Sequence, residues 1–229
     1  MTITTGYEKE NFSDNDYFNS KKNNDLRYNS HLPKTDSYVK SIVKILKELD
    51  IYKNTILIIF SDHGTSIGEK IGEKFYGVYL YDYTLNVFSI IHIPHHSPKI
   101  IDKQCQTIDL FPTVLDLINS PDTEYSKKQG KSLIPLIFDS TSSDREVFAE
   151  TGGLYGPWPS PKKHNVFCVK YDQKKLIYNE TPRTWEFYDL IKDPDEKNNI
   201  FNENSKTIHE YKQRLQSYFK KNNIHKTIS

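Results

Sequence analysis

Cysteine is scarce in this chain of 229 residues: Cys105 and Cys168 are its two, and no Cys-x-x-Cys spacing occurs. That excludes a disulfide framework and a structural zinc site, and leaves open a bridge between the two. Long apolar runs are missing as well. No stretch approaches the roughly 18 residues that a membrane span requires, and Met1 to Asp25 lacks the apolar core of a signal peptide. As written, the chain reads as intracellular, cytoplasmic, and without a membrane partner. Net charge is only +1 and the pI is near 7.7, so no global field calls for nucleic acid. No unit with a period of roughly 20 to 50 residues repeats.

What the chain does have is one stretch, Asn54 to Asp82, that concentrates chemistry. Thr55 to Phe60 is an uninterrupted apolar, β-branched run too short for a helix, which predicts a strand buried on both faces as in a parallel sheet. It stops at Ser61. Ligands in open α/β sheets bind beyond the carboxyl ends of strands, so Asp62 and His63 leave the strand where a site would be built, and Gly64 permits a sharp turn. A carboxylate oxygen beside an imidazole nitrogen suits a divalent cation such as Ca²⁺, Mg²⁺ or Mn²⁺. Taken alone, the same pair is more often a helix cap and a packed turn histidine.

The wider pattern decides between these readings. Thr55-Ile-Leu-Ile-Ile-Phe-Ser-Asp-His-Gly64, then Gly68-Glu69, then Tyr76-Gly77-x-x-Leu80-Tyr81-Asp82, resembles the second metal-binding segment of the sulfatases, within the alkaline phosphatase superfamily. Three further landmarks follow in that family's order. They are Asp109-Leu-Phe-Pro-Thr113, Gly130-Lys-Ser-Leu-Ile-Pro-Leu136, and the string from Glu186 through Tyr188-Asp189-Leu190 and Asp193-Pro194-x-Glu196 to Asn199. Together they cover residues 36 to about 219.

The resemblance implies a metal-dependent hydrolase of sulfate esters, a sulfuric ester hydrolase. Such enzymes use a formylglycine made from Cys or Ser in a Cys-x-Pro-x-Arg segment, beside a metal, foremost Ca²⁺, held by two N-terminal aspartates plus an Asp-Asn or Asp-His pair. Here the resemblance supplies Asp62 and His63 as metal ligands and Lys74, with Lys70 second, as the basic group on the substrate oxygens. Lys70 stands where the family commonly has a His. No catalytic nucleophile is present: neither Cys105-Gln-Thr-Ile nor Cys168-Val-Lys-Tyr fits the segment. The implied reading is therefore a truncated chain with half of the metal site, inactive alone, whose partners are a sulfate ester and a complementing N-terminal half. The alternatives are a non-catalytic metal- or partner-binding remnant and a phosphodiesterase or phosphotransferase of the same superfamily.

The rest of the chain reads as support. Residues 1–34 form a polar lead-in expected to be loop or disordered. Residues 35–140 are the expected C-terminal half of an alkaline-phosphatase-like α/β/α sandwich, with a helix capped by Thr35 or Asp36 and facing inward through Val39, Ile42, Val43, Leu46 and Leu49. Leu85 to Pro94 reads as a second buried strand. His92, His95 and His96 are expected to be packing and surface residues. A helix opening at Thr107 or Asp109 turns Leu110, Val114, Leu117 and Ile118 inward, with Pro112 harmless in its first turn. Beyond a polar break at Ser140 to Asp144, residues 141–229 predict a small antiparallel sheet with strands at 146–150, 164–170, 174–178 and 185–190. A helix over 206–220 covers it through Ile208, Tyr211, Leu215 and Phe219.

Overall fold

The computed structural model describes residues 21–70, 79–120, 130–139, 145–151 and 165–224. The chain divides into two compact units, one running to Ser97 and the other comprising Pro98–Thr151 and Asn165–Ser229. The polar break at 140–144 lies outside the described residues.

The first unit opens on helix α1, Lys21–Glu48. Residues 21–34 are thus helical, a correction to the lead-in expected there, and Asp36 is an exposed mid-helix residue instead of a cap. Polar side chains that usually favour loops are absorbed by the helix itself. Ser30, Ser37 and Ser41 hydroxyls donate to the carbonyls of Arg27, Lys34 and Ser37 at 2.6, 2.6 and 2.8 Å. Buried Asn24 ties the first turns down by donating Nδ2–H to the Ile67 carbonyl at 2.9 Å. The helix ends where Asp50 turns left-handed (φ 54°), with Ile51 N–H returning to Leu46 O at 3.0 Å and Asp50 N–H to Lys47 O at 3.0 Å.

Strand β1, Leu57–Phe60, then pairs antiparallel with β2, Ser89–His92, from Leu57↔His92 to Phe60↔Ser89. This corrects the expectation of a parallel, doubly buried strand. Among the described residues β2 is the one partner of β1, and no residue of β1 is fully buried. Between them lies the one-turn helix α2, Asp82–Leu85, so the second strand begins at Ser89 and not at Leu85. His92 stacks on the Tyr52 ring with centroids 4.3 Å apart, a packing role as expected.

In the second unit, α3, Leu110–Leu117, buries Leu110 and Thr113. Ile118 is 58% exposed, against the expected inward position, whereas Thr113 is fully buried. Strands β3 (Val147–Thr151), β4 (Val166–Tyr171), β5 (Lys174–Asn179) and β6 (Thr184–Asp189) form an antiparallel meander in sequence order. The β4–β5 hairpin closes through Asp172 and Gln173, both left-handed at φ 45° and 54°, the two-residue turn that matches strand twist. Phe167, Val169, Leu176 and Phe187 project from one face of this sheet and pack against Ile208, Tyr211, Leu215 and Phe219 of helix α4, Lys206–Lys221. The other face is also buried. There Val166, Cys168, Lys175, Ile177 and Tyr188 alternate with the first set, and Lys175 pairs with Glu196 at 2.8 Å with both side chains shielded from solvent.

Candidate metal and anion site

Asp62 and His63 follow β1 directly, and the fold fixes the backbone that carries them. Ser61 N–H donates to Phe88 O at 3.2 Å, prolonging the β1–β2 ladder by one residue. Gly64 N–H then donates to Thr84 O at 2.8 Å. A Cβ built on Gly64 would lie 2.2 Å from the Tyr83 carbonyl oxygen, so this position accepts glycine alone without backbone movement. The requirement is close approach to the α2 backbone, not the sharp turn expected from sequence. Thr84, itself buried, holds that backbone by donating its hydroxyl to Tyr81 O at 3.0 Å.

At the tip, His63 N–H donates to Asp62 Oδ1 at 3.0 Å, which orients the carboxylate. The ring is fixed from the other side. His63 Nδ1 lies 2.7 Å from Gly64 O, and because a carbonyl only accepts, Nδ1 carries the hydrogen. In the neutral ring this puts the lone pair on Nε2, which lies 3.6 Å from Asp62 Oδ2. A backbone carbonyl holding one imidazole nitrogen while the other is presented is the arrangement common to metal-bound histidines. Two donors each about 2.4 Å from one hard cation and about 90–100° apart would be separated by about 3.4–3.7 Å, close to this distance. The Asp62 side chain is 72% exposed and that of His63 28%, so the pair opens outward. Among the described residues no group of three or more His, Cys, Asp or Glu could hold a metal.

Of the two lysines expected at the anion, Lys74 lies outside the described residues. Lys70 places its ammonium 4.1 Å from the centroid of the buried Tyr81 ring. The loop before it is shaped by groups that sequence reasoning passed over. Glu69 Oε2 accepts from the Ser66 hydroxyl at 3.0 Å and from Ile67 N–H at 2.7 Å, and Ser66 is wholly buried. The Gly68-Glu69 pair of the resemblance was the one available signal, and its carboxylate serves the loop's own backbone.

The other landmarks also join backbone to backbone. Asp109 accepts from Gln106 N–H at 2.8 Å and Lys131 N–H at 2.9 Å and is paired with Arg145; Thr113 Oγ1 donates to Asp109 O at 2.6 Å and accepts from Leu133 N–H at 2.8 Å. Gly130 is left-handed at φ 95°, and a Cβ there would meet Ile108 O at 2.4 Å. The Asp109–Thr113 and Gly130–Leu133 segments are therefore two halves of one clasp. Asp193 likewise accepts from Lys197 N–H at 3.1 Å and Asn198 N–H at 2.8 Å, and Asn199 Oδ1 accepts from Phe187 N–H at 3.0 Å.

Neither cysteine is bonded to the other or set up as a nucleophile. Cys168 is buried in β4 and is not in a disulfide. Cys105 is exposed by area and free, but enough protein surrounds its sulfur that desolvation raises the thiol above its ordinary value, the Arg145 charge pulling the other way.

Residues 3–120 match the family described as Sulfatase, and residues 72–223 match that described as N-sulphoglucosamine sulphohydrolase, C-terminal. The chain belongs to the sulfatase family. It is 26% identical to arylsulfatase K of Canis lupus familiaris over 83% of this chain and 36% of that protein. It is 26% identical to an endo-4-O-sulfatase of Bacteroides thetaiotaomicron over 83% and 40% respectively. Among solved structures, a putative sulfatase from Bacteroides fragilis superposes with a TM-score of 0.74 at 20% identity, covering 93% of this chain and 45% of that one, which establishes the α/β alkaline-phosphatase-like fold. This sulfatase-family chain thus spans less than half the length of these relatives.

Proposed function

We propose that this chain forms part of a metal-dependent hydrolase of sulfate esters, in which Asp62 and His63 supply two ligands to a divalent cation, foremost Ca²⁺. The observation that carries the reading is the 3.6 Å approach of His63 Nε2 to Asp62 Oδ2, with Nδ1 tied to Gly64 O. An anionic oxygen dominates such a pair and favours a hard cation, with Mg²⁺ and Mn²⁺ as the other candidates. Bound there, the cation would polarise the ester oxygens and lower the pKa of a nucleophile.

The chain's own residues would then bind and orient. Asp62 and His63 hold their geometry through backbone hydrogen bonds, so little reorganisation accompanies binding. Lys70 or Lys74 supplies a point charge for the ester oxygens. For Lys70 this requires the ammonium to leave the Tyr81 ring. The sequence contains no Cys-x-Pro-x-Arg segment, so the isolated chain lacks the covalent nucleophile and would turn over negligibly.

Sulfate esters are favoured over phosphate esters because the sequence relatives are sulfatases. A phosphonate monoester hydrolase shares the fold at a TM-score of 0.62 and 19% identity, which bears on fold alone. The test is an aryl sulfate assay on purified chain with added Ca²⁺. Negligible hydrolysis is expected. Robust turnover abolished by Asp62→Ala would show that the chain holds its own nucleophile.

A further inference from the structure

Lys70 is half-buried, and its ammonium lies 4.1 Å from the centroid of the Tyr81 ring. Tyr81 is itself only 6% exposed, so the face it offers is fixed in place. The Tyr79 and Tyr83 rings lie against it with centroids 5.8 and 5.5 Å away. The Tyr81 carbonyl accepts from Thr84 N–H, the Thr84 hydroxyl and Leu85 N–H, each at 3.0 Å. The loop leading to Lys70 is tied down as well, because Glu69 holds Ser66 and Ile67 while Asn24 holds the Ile67 carbonyl. What remains adjustable is the flexible four-carbon stem of Lys70 itself.

The same short helix supports the Asp62–His63 segment. Tyr81 precedes α2, and Thr84 within α2 accepts Gly64 N–H at 2.8 Å. The ring beneath Lys70 and the loop that carries the candidate ligands therefore lean on one four-residue element of one unit.

Magnitudes decide what such a ring does. An aromatic face attracts an ammonium through its quadrupole, which shifts an equilibrium by about 2-fold at exposed sites and about 30-fold when desolvated. A charge-assisted hydrogen bond to an anionic oxygen is the stronger partner. The ring can thus hold the ammonium and still surrender it to an anion. An anion that draws Lys70 away binds more weakly by the fraction of time the ammonium spends off the ring.

We infer that Tyr81 is a positioning residue for anion recognition: its ring holds the Lys70 ammonium beside the Asp62–His63 segment and yields it when an ester anion enters, setting the anion's affinity. This rests on the reading of Lys70 as a group that meets substrate oxygens. It assigns to Tyr81 a role exerted through Lys70, without contact to the ester.

The test is nuclear magnetic resonance of the chain labelled with ¹³C at the lysine ε-carbons, titrated with inorganic sulfate at constant ionic strength in the presence of Mg²⁺, with Lys70→Met assigning the signal. In the wild type the Lys70 ε-methylene should resonate upfield of the other lysines, shifted by the ring, and move toward them as sulfate binds. In Tyr81→Leu it should start there, and sulfate should bind about 2- to 30-fold more tightly. Tyr81→Phe keeps the ring and should behave as the wild type. A Lys70 signal that stays upfield when sulfate has saturated other signals would overturn the inference alone, as would unchanged sulfate affinity in Tyr81→Leu. No response of any signal to sulfate would overturn the anion-site reading and this inference with it. If Tyr81→Leu does not fold, the wild-type titration decides by itself, since only a ring that yields its lysine gives a Lys70 signal that moves.

Discussion

Gly64 and Tyr83 approach so closely that a methyl group on the first would overlap the carbonyl oxygen of the second, at 2.2 Å. The metal-segment loop is therefore clamped to α2 backbone against backbone. Gly64→Ala should destabilise the first unit by about 1–3 kcal/mol, the range for overpacking against a group that cannot rotate away. Hydrogen exchange at residues 62–64 and 82–85 checks it. Unchanged protection at both would mean the loop has slack that the structure does not show.

The Asp109–Thr113 clasp predicts a graded series. Thr113→Val keeps the shape but leaves the buried Leu133 N–H without its 2.8 Å acceptor, and should lower stability in urea by about 1–3 kcal/mol. Ser132→Ala removes only a half-buried local bond to Ile134 N–H at 3.3 Å and should change stability by less than about 0.5 kcal/mol. Equal losses from the two substitutions would refute the assignment of the clasp to Asp109 and Thr113.

Lys175 and Glu196 form an ion pair shut away from solvent on the α4-distal face of the sheet. Removing one partner strands the other, so Lys175→Met should cost about 3–5 kcal/mol. The double change Lys175→Met with Glu196→Leu should recover much of that, because the stranded charge is gone. A double variant no more stable than the single in chemical denaturation would contradict this.

Tyr211 is the residue through which α4 responds to alkali. Its hydroxyl donates to Tyr171 O at 2.5 Å, and burial, with the nearby Asp172 charge, holds its pKa well above the ordinary tyrosine value. Above pH about 10 the unfolded chain loses this proton while the folded chain keeps it. Folding stability is thus fully present below that pH and falls as pH rises beyond it. Tyr211→Phe should flatten the decline between pH about 10 and 11.5, measured by urea midpoints. An unchanged slope would place the alkaline sensitivity elsewhere.

The second unit was legible in sequence because its rules are local. Strand alternation, the Asp172–Gln173 turn and the Ile208, Tyr211, Leu215, Phe219 spacing each follow from a few neighbouring residues. The first unit was less so. Thr55 to Phe60 has the composition of a doubly buried strand, but burial needs partners, and the described residues offer β2 alone. Residues 21–34 have loop-like composition, yet Ser30 bonds back into the helix and Asn24 is held by Ile67, 43 residues away, a contact no local pattern announces. Asp62 and His63 were found through the motif around them. The groups that set their geometry, Thr84 and the Gly64 and Tyr83 backbone, carry no chemical signature of their own.

The central claim, that Asp62 and His63 are two ligands of one cation, is tested most directly by calorimetric titration of the chain with Ca²⁺ and Mn²⁺. Two protein ligands leave most of a hard cation's six or so positions to water, so a dissociation constant of about 1 mM or weaker is expected. Asp62→Asn and His63→Ala should each abolish the signal without altering the far-ultraviolet circular dichroism. Tight binding that survives both substitutions would place the metal elsewhere and contradict the claim.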